Sequence, residues 1–222
     1  GSLEPWQSRE LYDLVKELQP DCMVSGRLGN DVYDFAVMAD NKLPESALHA
    51  PWQSAASMFP ETWSYRSWQK RGSVDDKVAE KLRSLIKVVS HGGNYLLNIG
   101  PASDGSVVPF EREVLLKIGK WLQENGDAIY GTQPSPFAED FVWGDVTING
   151  NDLYLLLTGT YPKEGYIELK FDKIGCRIPV DRKMFADPAD VHVIMTDIRG
   201  ELRRDVSRTS AEETLSWKNA TP

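Results

Sequence analysis

Val89-Ser90-His91-Gly92-Gly93-Asn94-Tyr95-Leu96-Leu97-Asn98-Ile99-Gly100-Pro101 joins the end of one element to the whole of the next. Upstream of it, Val78, Leu82, Leu85, Ile86 and Val89 recur at helical spacing. Ser73, with Asp76 three residues on, is a weak capping-box start for that helix, and Gly92-Gly93 stops it. Tyr95-Leu96-Leu97 with Ile99 then reads as a buried strand, and Gly100-Pro101 opens a polar loop to Val108. A second helix follows over about 109–125, with Val114, Leu115, Ile118, Trp121 and Leu122 inward and Gly126 as its cap.

Reading outward toward the N-terminus, Leu11, Leu14, Val15 and Leu18 mark an earlier amphipathic helix, with Pro5 suited to its first turn and Pro20 as its stop. Cys22-Met23-Val24 is a short apolar run ending at Ser25-Gly26-Arg27, which predicts a buried strand. Residues 28–47 lack periodicity and form a long loop, a feature that is usually functional or disordered in a compact domain. The segment 51–68 carries Trp52, Trp63, Tyr65 and Trp68. Helix, strand, loop, repeated, is the cadence of a (β/α) barrel, whose active site lies in the loops after its strands.

After Gly131 the pattern changes. Gln133-Pro134-Ser135-Pro136 reads as a linker. Val146-Thr147-Ile148 and Leu153 to Leu157, joined by Asn149-Gly150-Asn151-Asp152, form a β-hairpin. Residues 166–171 alternate, and His192-Val193-Ile194-Met195 is a further strand. Short strands at regular spacing predict a β-sandwich. The expected organisation is therefore α/β: barrel elements over 1–132 and an antiparallel β-sandwich over 138–222.

The 222 residues carry a formal net charge of -8, which argues against nucleic acid or an anionic membrane as partner, since both need clustered Lys and Arg. The charge-rich stretch 199–208 mixes signs and reads as solvated surface. No apolar run is long enough for a membrane span. Cys22 and Cys176 lie among apolar neighbours without metal-ligand spacing and read as free buried thiols rather than a disulfide. His49, His91 and His192 are scattered, so no metal site is expected. Seven tryptophans and eight tyrosines are suggestive, because such rings stack on sugars, although most aromatic rings are core.

Four ordered segments carry a resemblance. The 89–101 stretch followed by Asp104-Gly105, then Ile118-Gly119-Lys120-Trp121-Leu122 with Asn125 to Thr132, then upstream Gln19-Pro20-Asp21 with Gly26-Arg27-Leu28-Gly29-Asn30, and Thr62-Trp63-Ser64-Tyr65, together resemble the α-L-fucosidases of glycoside hydrolase family 29. The resemblance spans roughly residues 5–132; the β-rich tail matches only in kind. It implies the C-terminal portion of a (β/α)8-like TIM barrel and a retaining hydrolase that releases α-L-fucose from fucosylated oligosaccharides or glycoconjugates. It also implies an aspartate nucleophile and paired histidines placed earlier in the family. No counterpart precedes Gly1, so the expectation is a fragment that begins just after the nucleophile and needs the remaining N-terminal part of the same protein.

A retaining glycosidase needs two carboxyl groups about 5–5.5 Å apart, one as nucleophile and one as acid/base. The family's acid/base falls, by resemblance, in the register of Asp40-Asn41-Lys42-Leu43-Pro44. Asp40 is thus the first candidate, one methylene shorter than the usual glutamate; the alternative is a solvated loop carboxylate. Glu61, just before Trp63, is the alternative acid/base. Arg27 matches a family arginine that reaches the active site and binds substrate or a carboxylate; Trp63 is expected on the C5-methyl face of fucose. Trp52 and Tyr65 complete the substrate-binding candidates, each read as core or cleft wall sooner than as a direct ligand. Gln53 stands where relatives often carry glutamate and cannot protonate a leaving group. Asp34 reads as a buried loop anchor rather than an acid. No cofactor or metal is needed. The family's compartments are periplasmic, secreted or lysosomal. A carbohydrate-binding relative without activity, or a glycosidase for another 6-deoxy or galacto-configured sugar, stays open.

Overall fold

The structure is a computed structural model and describes residues 7–42, 50–135, 137, 140–150 and 152–158, with the strands 166–170, 192–197, 203–206 and 214–218. Leu43, Pro44, His49, Pro136, Asn151, Cys176 and the flanks of the 199–208 stretch lie outside the described residues. Contacts divide the chain into two units, Gly1–Trp68 with Gly92–Val107, and Gln69–His91 with Val108–Pro222.

The first unit holds helix α1 (Ser8–Leu18) and a three-stranded parallel sheet of β1 (Ala36–Val37), β2 (Trp52–Ser57) and β3 (Asn94–Asn98), arranged in sequence order. Val37 pairs with Gln53, Ala55 with Leu96, and Ser57 with Asn98. Asp34 ties α1 to the loop beneath it. Its carboxylate accepts from Val24 N–H at 2.6 Å and Tyr12 Oη at 2.7 Å and pairs with Lys16 Nζ at 2.9 Å. The Val24 N–H, then Lys16 and Tyr12, hold this carboxyl down at about 2, well below its ordinary range. Asp34 is the loop anchor its setting suggested, half-buried rather than buried.

Three expectations change here. Residues 22–24 form no strand; only a single parallel bridge, Ser25 to Phe35, remains, and Cys22 is half-buried rather than buried. The long loop contains β1. Helix α1 turns Leu11, Leu14 and Leu18 outward, and Leu96 of β3 is 51% exposed, so neither apolar set is covered by the described residues.

In the second unit, Ser73 caps helix α2 (Val74–Ser90), its hydroxyl accepting from Asp76 N–H. Val78, Leu82, Ile86 and Val88 are buried. Helix α3 (Pro109–Asn125) buries Val114, Ile118 and Trp121, and Lys117 Nζ reaches Asp75 on α2 at 2.7 Å. Gly126 is right-handed and leads into a 3-10 turn rather than ending the helix in the left-handed region. Strands β4 (Gly144–Asn149) and β5 (Asp152–Leu157) make the expected hairpin, with Asn149 opposite Asp152. Strands β7 (His192–Asp197) and β8 (Arg203–Val206) extend that sheet in the order β4-β5-β7-β8, while β6 (Tyr166–Lys170) pairs with β9 (Thr214–Lys218).

Every residue from Leu153 to Leu157 is buried, as an interior strand covered on both faces requires. The all-antiparallel expectation is corrected at one ladder: β5 and β7 run parallel, Tyr154 facing Ile194. Within this unit α2 is tied to β4 and its neighbours. Ser90 Oγ donates to Asp145 at 3.1 Å, Lys87 Nζ lies 3.3 Å from the same carboxylate, and Arg83 Nε donates to Thr158 O at 2.9 Å.

Candidate active site

The parallel sheet of the first unit builds a cleft of about 550 Å³, lined by side chains that alternate along its strands: Gln53 and Ala55 from β2, Leu96 and Asn98 from β3, and Val37 from β1. This is the two-residue period of a pleated strand, with Trp52, Ser54 and Ala56 on the opposite face. Ser25, Arg27, Asp40 and Trp63 complete the lining from the loops.

Arg27 sits in a 3-10 turn (Gly26–Leu28) that Ser25 caps, its hydroxyl accepting from Arg27 N–H. Gly26 N–H donates to Phe35 O at 2.8 Å, which sets that turn against the start of β1. Arg27 Nη2 donates to Asp40 Oδ1, an ion pair at the open side of the cleft with both side chains about half exposed.

Trp63 is delivered by the loop after β2. Asn98 Nδ2 donates to Trp63 O at 2.9 Å. Gly100 lets the same loop settle at the end of β3, because a Cβ there would lie 2.8 Å from Ser64 C and Tyr65 N. Thr62 and Ser64 close a local turn, Thr62 Oγ1 donating to Ser64 O at 2.8 Å. Trp63 is left 38% exposed.

Arg27, Asp40 and Trp63 therefore converge on one cleft, together with Gln53. Trp52 does not join them: it is fully buried, its indole under Gly93, so it supports the sheet and offers no face to a ligand. Glu61 and Tyr65 are exposed and do not line the cleft, and Trp68 is exposed at 63% rather than packed. Asn98, Leu96 and Ser25 went unselected in the sequence. Alternation along β3 would have found Leu96 and Asn98, since both lie on the face that carries Gln53 and Ala55. Among the described residues Asp40 is the only carboxylate in the lining, and no cluster of metal-ligating side chains occurs. The cleft thus offers one proton carrier, one fixed cation, two amides and an aromatic wall, a set suited to a hydroxylated neutral ligand with an apolar patch.

Comparison with known proteins gives this set its family. The model for "Alpha-L-fucosidase" matches residues 2–127. The mouse tissue alpha-L-fucosidase is 38% identical over 141 residues, covering 60% of this chain and 30% of its own. The human tissue alpha-L-fucosidase is 42% identical over 95 residues, covering 43% and 20%. Among solved structures, the alpha-L-fucosidase isoenzyme 1 of Paenibacillus thiaminolyticus superposes with a TM-score of 0.67 at 29% identity, over 76% of this chain and 42% of that one. The chain belongs to the alpha-L-fucosidase family. It spans between about a fifth and 30% of the length of the curated relatives it matches.

Proposed function

We propose that the whole protein is a retaining α-L-fucosidase acting on fucosylated oligosaccharides or glycoconjugates, with Asp40 as its acid/base. The observation that carries the reading is the Arg27–Asp40 pair lining one cleft together with Trp63 in a family member. Asp40 protonates the departing glycosidic oxygen and later takes a proton from the attacking water. Arg27 orients that carboxyl and donates to a sugar hydroxyl. Trp63 covers the C5-methyl of fucose. The nucleophilic carboxylate is a second group that the described lining does not supply. On this reading β1, β2 and β3 are consecutive strands of a TIM barrel over 1–132, and 138–222 is a β-sandwich domain. The compartment is lysosomal, periplasmic or secreted; among the described residues no helix is long and apolar enough to cross a membrane.

Gln53 favours one competing reading, a carbohydrate-binding relative, because it puts a neutral amide in the cleft where relatives often hold a carboxylate. The test uses the whole protein. Asp40→Asn should slow hydrolysis of a natural fucoside by about 10²–10⁴-fold, the usual worth of general acid catalysis. An activated aryl fucoside should suffer less in glycosylation, and added azide, which needs no base, should restore turnover. Glu61→Gln, outside the cleft, should stay within a few-fold of wild type. Azide rescue of Glu61→Gln but not of Asp40→Asn would move the role to Glu61. Fucose binding without turnover by the wild type would establish the binding protein instead.

A further inference from the structure

We infer that Asn41 is a positioning residue: its side chain clips the segment carrying Asp40 to the end of β2 and thereby sets where the Asp40 carboxyl stands. The inference rests on the reading of Asp40 as acid/base. Strand β1 ends at Val37, yet the chain goes on accompanying β2: Met38 N–H donates to Gln53 O and Asn41 N–H to Ala55 O, both at 2.9 Å. Between those two bonds Ala39 and Asp40 are carried through a turn closed by Lys42 N–H to Ala39 O at 2.9 Å. Asn41 itself is left-handed, with φ 56°, a conformation asparagine adopts more readily than most residues.

That conformation lets Asn41 Oδ1 accept from Ser57 N–H at 2.8 Å. Ser57 is fully buried and its amide needs an acceptor, which β1 no longer provides at this level. The Asn41 amide therefore takes the place of a strand backbone. Ser54 Oγ adds a second clip from the far side of the turn, donating to Lys42 O at 2.9 Å. Asp40 is thus flanked by backbone bonded to the strand whose Gln53 and Ala55 form the cleft floor. An aspartate reaches one methylene less far than the glutamate common in relatives, so it has less side-chain freedom to recover a misplaced backbone. Errors of about 1 Å in a catalytic group cost on the order of 10²-fold in rate.

The experiment compares Asn41→Ala, Asn41→Gly and Asp40→Asn in the whole protein, on a natural fucoside and an activated aryl fucoside, with thermal midpoints recorded for each. Asn41→Ala should lower kcat on the natural fucoside by about 10-fold or more with KM little changed, and should lower it less on the aryl fucoside. Asn41→Gly keeps the left-handed backbone and loses only the acceptor. It should show the same substrate dependence with a smaller fall in midpoint, which separates positioning from folding. Equal losses on both substrates in both variants, alongside a substrate-dependent loss in Asp40→Asn, would overturn the role of Asn41 alone. Equal losses on both substrates in Asp40→Asn as well would overturn the acid/base reading and this inference with it.

Discussion

The Arg27 guanidinium and the Asp40 carboxylate are joined at the open side of the cleft, with each side chain about half exposed. A pair so open to water adds little to folding stability. Its loss should therefore appear in turnover: Arg27→Ala in the whole protein should lower kcat/KM by about 10–100-fold, the worth of a charged hydrogen bond. The thermal midpoint should stay within a degree or two of wild type. A large drop in midpoint with activity retained would make the pair structural.

Trp63 stands over the cleft with its carbonyl held by Asn98. If its ring covers the C5-methyl of fucose, Trp63→Ala should lower the preference for a fucoside over the matching 6-hydroxylated glycoside. About 1 kcal/mol per buried methyl predicts roughly a five-fold loss of selectivity. Competition kinetics with the two glycosides reads this directly, and unchanged selectivity would remove Trp63 from the methyl face.

Gly93 lies against the Trp52 indole, where an added Cβ would come within 2.5 Å of Cη2 and 2.6 Å of Cε2. The Trp52 side chain is fully buried. Gly93→Ala should destabilise by about 1–3 kcal/mol, as overpacked cores do. The loss should shrink when the same change is made beside Trp52→Phe, so a double-mutant cycle in denaturant measures it. Strict additivity would show that the contact does not limit packing.

Asp34 titrates at about 2 because Val24 N–H, Lys16 and Tyr12 all favour its ionised form. A carboxyl depressed in the folded state stabilises fully above its unfolded pKa and loses that contribution as pH falls toward the folded one. The stability gap between wild type and Asp34→Asn should hence be constant above about pH 5 and narrow between about pH 4 and 2. Acid unfolding followed by circular dichroism checks it. A gap that persists at pH 2 would assign the anchor to packing rather than charge.

Periodicity and end signals in the sequence determined the α2–β3–α3 run, because Ser73, the Gly92-Gly93 pair and the 3.6-residue apolar repeat act within one or two turns of backbone. The hairpin of β4 and β5 was equally local, set by its polar turn. The motifs around Arg27, Asp40 and Trp63 pointed to one cleft through family resemblance. Tertiary structure alone decided the rest. Trp52 and Trp63 are both aromatic residues of one segment, yet strand alternation and the approach of Gly93 bury the first, while Asn98 holds the second over the cleft. The parallel β5–β7 ladder pairs strands far apart in sequence, and no local pattern records strand direction. The clip from Asn41 to Ser57 was invisible for the same reason: an asparagine in a polar loop reveals its partner only when the strand beside it has folded.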